Sequence, residues 1–144
     1  MSEPDPAAIK QFLAELRDVN KERRRTAVMK LGMAGGSDAV NALIQAVQNR
    51  NEDLIVRGRA ALMLGQLGDT RAVFALIRAL DAPGLQTPVN AAQALGKLGD
   101  TRAIKPLLLM ANHPDAKFRA AALEALERLG YSGQAQGELS EAQP

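Results

Sequence analysis

The decapeptide Leu64–Val73, LGQLGDTRAV, returns 31 residues later at Leu95–Ile104 as LGKLGDTRAI, with nine of the ten positions identical or a Val/Ile exchange. A more diverged copy, LGMAGGSDAV, occupies Leu31–Val40, 33 residues ahead of the second, and a half copy, ALERLGY, spans Ala125–Tyr131. A period of this length means that each unit is one supersecondary element unable to bury its apolar side alone. Such units must stack on their neighbours to make a continuous core.

Each copy carries two helical patterns. In the second, Ala60, Met63, Leu64 and Leu67 recur at i, i+3, i+4 and i+7, which draws one apolar stripe. Gly68 then stands where a left-handed helix cap is common, and Asp69 and Thr70 can cap the helix that follows. That helix has its own stripe of Val73, Leu76, Ile77 and Leu80, and the third copy repeats the plan with Ala91, Ala94, Leu95 and Leu98, then Ile104, Leu107 and Leu108. Two short helices joined by so brief a turn lie antiparallel. With aromatics at 3% and no Trp, the core has to be built from Ala, Leu, Val, Ile and Met, which suits closely spaced helices. The spacing predicts helices near 6–17, 22–34, 38–49, 53–67, 70–81, 87–98, 101–112 and 115–129. Pro88 and Pro106 fall in first turns, where the missing N–H does no harm. Gly32, Gly65 and Gly96 fall mid-helix at equivalent places, which predicts a neighbouring helix passing close to the backbone there.

The run V-R-x-x-A-A-x-x-L-G-x-L-G-D-x-R-A from Val56 to Ala72 resembles the short HEAT-like repeat of phycobilin lyases and related proteins, and the resemblance extends over roughly residues 7 to 130. It implies an all-α, right-handed α-α superhelix, a HEAT-like solenoid of about eight antiparallel helices in four hairpins. One domain is expected over 1–131, with a disordered C-terminal tail, SGQAQGELSEAQP, over 132–144. In such solenoids the second helix of each pair usually lines the concave face, where partners bind. Stacked in register, these helices present ladders of outward positions: Lys10, Asn41, Phe74, Lys105; Ala14, Gln45, Arg78, Leu109; and Arg17, Gln48, Asp81, Asn112. Phe74 and Leu109 are the apolar exceptions on a polar face, so the expected partner-binding residues are Phe74, Arg78, Lys105 and Leu109 with Asn41 and Gln45. A bland reading stands beside this one, in which Phe74 packs sideways between repeats. Arg24, Arg57 and Arg119 fill the V-R slot and are expected to pair with turn carboxylates such as Asp69 or Asp100, whereas Pro88 holds that slot in the third copy.

Other function classes find little to build on. No Cys is present, so disulfides and thiolate metal sites are excluded. His113 is the only histidine and no His–Glu pair exists, which rules out the metal sites of the HEAT-repeat hydroxylases that resemble this fold. No phosphate-cradling loop or nucleophile elbow is visible, so neither catalytic residues nor a cofactor are expected. Arg17, Lys21, Arg23, Arg24 and Arg25 form the only basic run. It could meet phosphates, but Asp18 and Glu22 interrupt it and no aromatic is near to stack on bases. A solvated helix end is the plainer reading, and a net charge of +2, from 18 bases against 16 acids, is low for a nucleic-acid binder. No apolar run reaches the roughly 20 residues needed to span a bilayer, and the acidic, Pro-containing N-terminus lacks a signal-peptide pattern. The sequence therefore predicts a monomeric cytoplasmic scaffold for another protein or peptide, without metal or membrane. A bilin lyase-related or pigment-handling component, and a weak nucleic-acid binder through residues 17–25, are the alternatives. The outer face of the last helix (Ala121, Glu124, Arg128) is expected to be mixed, consistent with a monomer.

Overall fold

The structure, a computed structural model, describes residues 4–131. The expected tail from Ser132 lies outside the described residues. The helices are α1 (Pro6–Glu15), α2 (Lys21–Ala34), α3 (Ser37–Gln48), α4 (Leu54–Leu67), α5 (Val73–Ala79), α6 (Gln86–Leu98), α7 (Ile104–Met110) and α8 (Ala116–Arg128), and no strand occurs among the described residues.

Short polar side chains start four of these helices. Asp5, Asn20, Asp53 and Asp115 accept hydrogen bonds from the backbone N–H groups of Ala7, Glu22, Val56 and Lys117, each filling an otherwise orphaned donor. Gly68 and Gly99 end α4 and α6 with φ of 69° and 70°, the left-handed conformation that favours glycine. α5 and α7 are shorter than their patterns suggested. Each is entered through a 3₁₀ turn, Thr70–Ala72 and Thr101–Ala103. There the capping Asp69 or Asp100 binds the N–H two residues on and winds the first turn tightly. The last turn of α5 tightens in the same way, with Leu80 N–H donating to the Ile77 carbonyl and Asp81 N–H to that of Arg78.

The helices form two layers. α2, α4, α6 and α8 stack side by side in one, and α1, α3, α5 and α7 make the other. The seam between them is filled by equivalent leucines: Leu31, Leu64, Leu95 and Leu126 from the first layer and Leu43, Leu76 and Leu107 from the second, all fully buried. The mid-helix glycines explain how closely the first layer packs. A Cβ on Gly65 would sit 2.8 Å from both Cα and Cβ of Ala94, and one on Gly96 would sit 3.0 Å from the Ala125 Cα. Gly32 is covered by the Met63 side chain. The α4–α6 interface is the most extensive between any two helices, while α5 and α7 share nothing comparable.

Charged ties join the repeats, and of the three V-R arginines Arg24 meets a turn carboxylate as expected. Arg24 donates to the Glu52 carboxylate at 3.0 Å and to the carbonyls of Asp18 and Val19. Arg25 grips Asp53 with two bonds of 2.8 and 2.9 Å. Arg57 and Arg119 do not reach Asp69 or Asp100. Arg57 donates through Nε and Nη2 to the Val47 carbonyl at the end of α3, and Arg119 donates to the carbonyls of His113 and Pro114. The V-R arginine points back at the chain entering its own helix, while Asp69 and Asp100 are taken by Arg71 and Arg102 two residues on.

Leu95→Ala should cost about 2–5 kcal/mol, read as a shift in the urea midpoint. Because each repeat touches only its neighbours, hydrogen exchange should speed up more in α6–α8 than in α1–α3. The glycines make a sharper pair. Gly65→Ala drives a methyl into the α6 backbone and should cost about 1–3 kcal/mol. At Gly58, by contrast, the nearest atom to an added Cβ is Gln86 Cγ at 3.5 Å, so Gly58→Ala should stabilise by about 0.5–1 kcal/mol through helix propensity.

The Arg25 hydrogen bonds hold the Asp53 carboxyl well below the usual carboxylate range, and the Val56 N–H adds to the effect. A depressed folded-state pKa contributes stability above the unfolded value of about 3.9, and that stability drains away as pH falls further. Asp53→Asn should therefore flatten the acid-side decline in melting temperature between about pH 5 and pH 2. An unchanged acid limb in the variant would show that the pair contributes nothing.

Candidate functional site

The outward ladder of the second layer faces solvent as its spacing predicts: Lys10, Asn41, Gln45, Phe74, Arg78, Lys105 and Leu109 are all exposed. Phe74 retains 61% and Leu109 74% of its accessible surface, which takes both out of the core. Phe74 is partly engaged. The Arg102 guanidinium from the next repeat lies 4.8 Å from its ring centroid while pairing with Asp100 at 2.7 Å. Arg71 makes the equivalent reach from Asp69 back to the Ser37 hydroxyl, at 3.1 Å. The Asp-x-Arg turn thus touches the repeat before it. Hydrogen bonds from Arg102, side chain and then backbone, lower the Asp100 carboxyl to about 2.

The two layers are not packed alike. In a bent two-layer stack the more closely spaced layer follows the shorter arc, and here that layer is α2, α4, α6 and α8, with Gly and Ala at its contacts. The Phe74–Leu109 row is exposed on the other layer, α1, α3, α5 and α7, whose helices share fewer contacts.

The shorter-arc layer carries a groove that the sequence reading did not single out. It lies between the N-terminal ends of α4 and α6, has a volume of about 380 Å³ and is mostly apolar. Leu54, Ile55, Leu62 and Leu85 make its walls, with Leu54 and Ile55 keeping 47% and 43% of their surface exposed. Two buried polar side chains stand at its base. Asn90 donates to the Gly58 carbonyl at 2.8 Å and accepts from Gln86 at 2.7 Å, whereas the Thr87 hydroxyl has no hydrogen-bond partner. The available signal was that Leu54, Ile55 and Leu62 fall off the α4 core stripe, so three large apolar residues share the helix face turned away from the core.

The basic run is divided by the fold. Arg17 and Lys21 are exposed, Arg23 pairs with Asp18 at 3.2 Å, and Arg24 and Arg25 are committed to Glu52 and Asp53. Residues 17–25 consequently present less free positive charge than their composition suggests. His113 acts locally: its Nδ1 accepts the Asp115 N–H at 2.9 Å, and its ring packs edge-on to Phe118 with centroids 4.3 Å apart. Among the described residues no group of His, Cys, Asp or Glu converges with metal-ligand geometry, and no helix is long and apolar enough to cross a membrane. On α8, Glu124 and Arg128 are exposed as expected. Ala121 is buried instead of outward, and Leu123 joins the surface.

A sequence search of curated proteins returns no match. Solved structures do resemble the chain. Human deoxyhypusine hydroxylase, in complex with glycerol, superposes with a TM-score of 0.75 at 24% identity over 91% of this chain. That covers 46% of the hydroxylase, so this chain spans about half its length. The complex of CpcE and CpcF of phycocyanin lyase from Nostoc sp. PCC7120 gives 0.60 at 24% identity, covering 96% of this chain and 73% of that one. An engineered protein gives 0.63 at 18% identity, covering 93% and 67%. At these identities the likeness is one of fold. The HEAT repeats family matches residues 9–86 and 75–137. With the glycine-packed layer, the leucine seam and the repeated Asp-x-Arg turn in view, the chain belongs to the HEAT-repeat family.

Proposed function

We propose that this protein is a non-catalytic scaffold that holds a protein or peptide partner, and that the groove between α4 and α6 is its principal contact. One observation carries the reading: large apolar side chains, Leu54, Ile55 and Leu85, stand partly in water around a shaped groove on the shorter-arc face. Single exposed apolar residues are ordinary, but a clustered set rimmed by polar groups marks a contact surface. HEAT repeats commonly mediate protein interactions, and the phycocyanin lyase neighbour is itself a two-protein complex. The second-layer row of Phe74, Arg78, Lys105 and Leu109, with Asn41 and Gln45, offers a separate surface on the opposite side, favoured by the exposure of Phe74 and Leu109.

Two double variants distinguish these surfaces. Affinity capture from the native lysate, with quantitative mass spectrometry, would compare the wild type with Leu54→Ser/Ile55→Ser and with Phe74→Ala/Leu109→Ala. Circular dichroism should show unchanged helicity for both, and melting should move little, since substitutions at exposed positions are typically worth under about 0.5 kcal/mol. The groove pair should lose the captured partner and the Phe74 pair should keep it. The reverse outcome would move the contact to the second layer. Full retention by both variants would leave the scaffold reading without a surface.

A further inference from the structure

Between α3, α4 and α5 lies a second pocket, of about 620 Å³, into which three arginines converge. Arg57 forms its buried wall, with 6% of its surface accessible, and Arg50 and Arg78 stand exposed at its mouth. Val47, Ala75 and Ala79 are among the other residues that line it. Arg57 directs Nε and Nη2 to a single acceptor, the Val47 carbonyl, at 3.1 and 3.0 Å. Among the described residues, its Nη1 has no hydrogen-bond partner and no carboxylate lies within ion-pair distance of Arg50, Arg57 or Arg78. Asp81 is the one carboxylate lining the pocket, against three guanidiniums.

The repeat supplies its own control. Arg24, at the equivalent place one copy earlier, has a carboxylate partner in Glu52. Arg119, one copy beyond the Pro88 repeat, spends its bonds on two carbonyls and lies closer to the surface. Arg57 is thus a V-R arginine that is both buried and without an acid. Burial, and then the neighbouring Arg50 guanidinium, push its pKa down, the direction expected of a cation held where only another cation is close. The terminal dipole of α3 compensates part of this charge through the Val47 carbonyl, and Nη1, which has no partner, is not fully closed off from the pocket.

We propose that this pocket is an oxyanion-binding site, which takes a phosphate or carboxylate group on the free edge of Arg57 with Arg50 and Arg78 closing over it. A guanidinium fork matches the paired oxygens of either group, and an anion there would satisfy donors that the chain leaves open. The site is independent of the α4–α6 groove, so either can fail without the other.

The test follows the arginine Nε–Hε resonances of the intact chain by NMR while inorganic phosphate or N-acetylglutamate is added at constant ionic strength, with chloride as the control. Arg57 should shift and saturate with the oxyanions and not with chloride. Tighter saturation by phosphate would identify the natural group as a phosphate, and tighter saturation by N-acetylglutamate would identify a carboxylate. Arg50→Gln with Arg78→Gln, both at exposed positions, should weaken binding roughly tenfold or more, as loss of a charge-assisted hydrogen bond does. Asp81→Asn should strengthen it several-fold. Failure of Arg57 to saturate with either oxyanion, or the same affinity in all variants, would overturn the assignment.

Discussion

The contact between the Gly65 backbone and Ala94 carries consequences through the whole stack. When one helix offers no Cβ and its neighbour offers only a methyl, their axes can approach closely. Dispersion contacts then accumulate along the helix length, and the cost of a mid-helix glycine is offset by packing. Gly96 on Ala125 repeats the arrangement one unit on. This spacing sets which layer follows the shorter arc, where the α4–α6 groove opens, and how far apart the second-layer helices stand. The leucines in the seam fill the space that this frame defines.

Much of the frame was legible in the sequence because it follows from periodicity. The apolar stripes of α4 and α6, the glycines that end them and the aspartates that cap the next turn are local signals, and the helices lie where those signals put them. The mid-helix glycines likewise announced a close neighbour. Curvature was harder, because an outward ladder on the second helices says which residues meet water and nothing about which layer is more tightly spaced. The clue was present in composition, in Gly and Ala concentrated on the first helix of each pair.

Charge was the least legible property, since the partner of a long side chain depends on geometry that spacing does not encode. Arg24, Arg57 and Arg119 share a slot, yet one meets a carboxylate, one a single helix-end carbonyl and one a pair of carbonyls in the turn ahead of α8. Two members of the basic run are absorbed into ties between repeats, whereas Arg50 and Arg78, far apart in sequence, come together over Arg57. Part of the free positive charge therefore sits where folding gathers it, away from the run that the chain concentrates.

The three close contacts in the first layer are not chemically alike. Ala94 and Ala125 present a rigid methyl to their glycines, while Gly32 meets the long, unbranched side chain of Met63. A thioether arm with several rotatable bonds can repack as α2 and α4 tilt against each other, which a methyl cannot do. Bending of the superhelix should accordingly be concentrated at its N-terminal joint, so that the array behaves as a stiff C-terminal block with a compliant leading hairpin able to adjust its angle to whatever it meets.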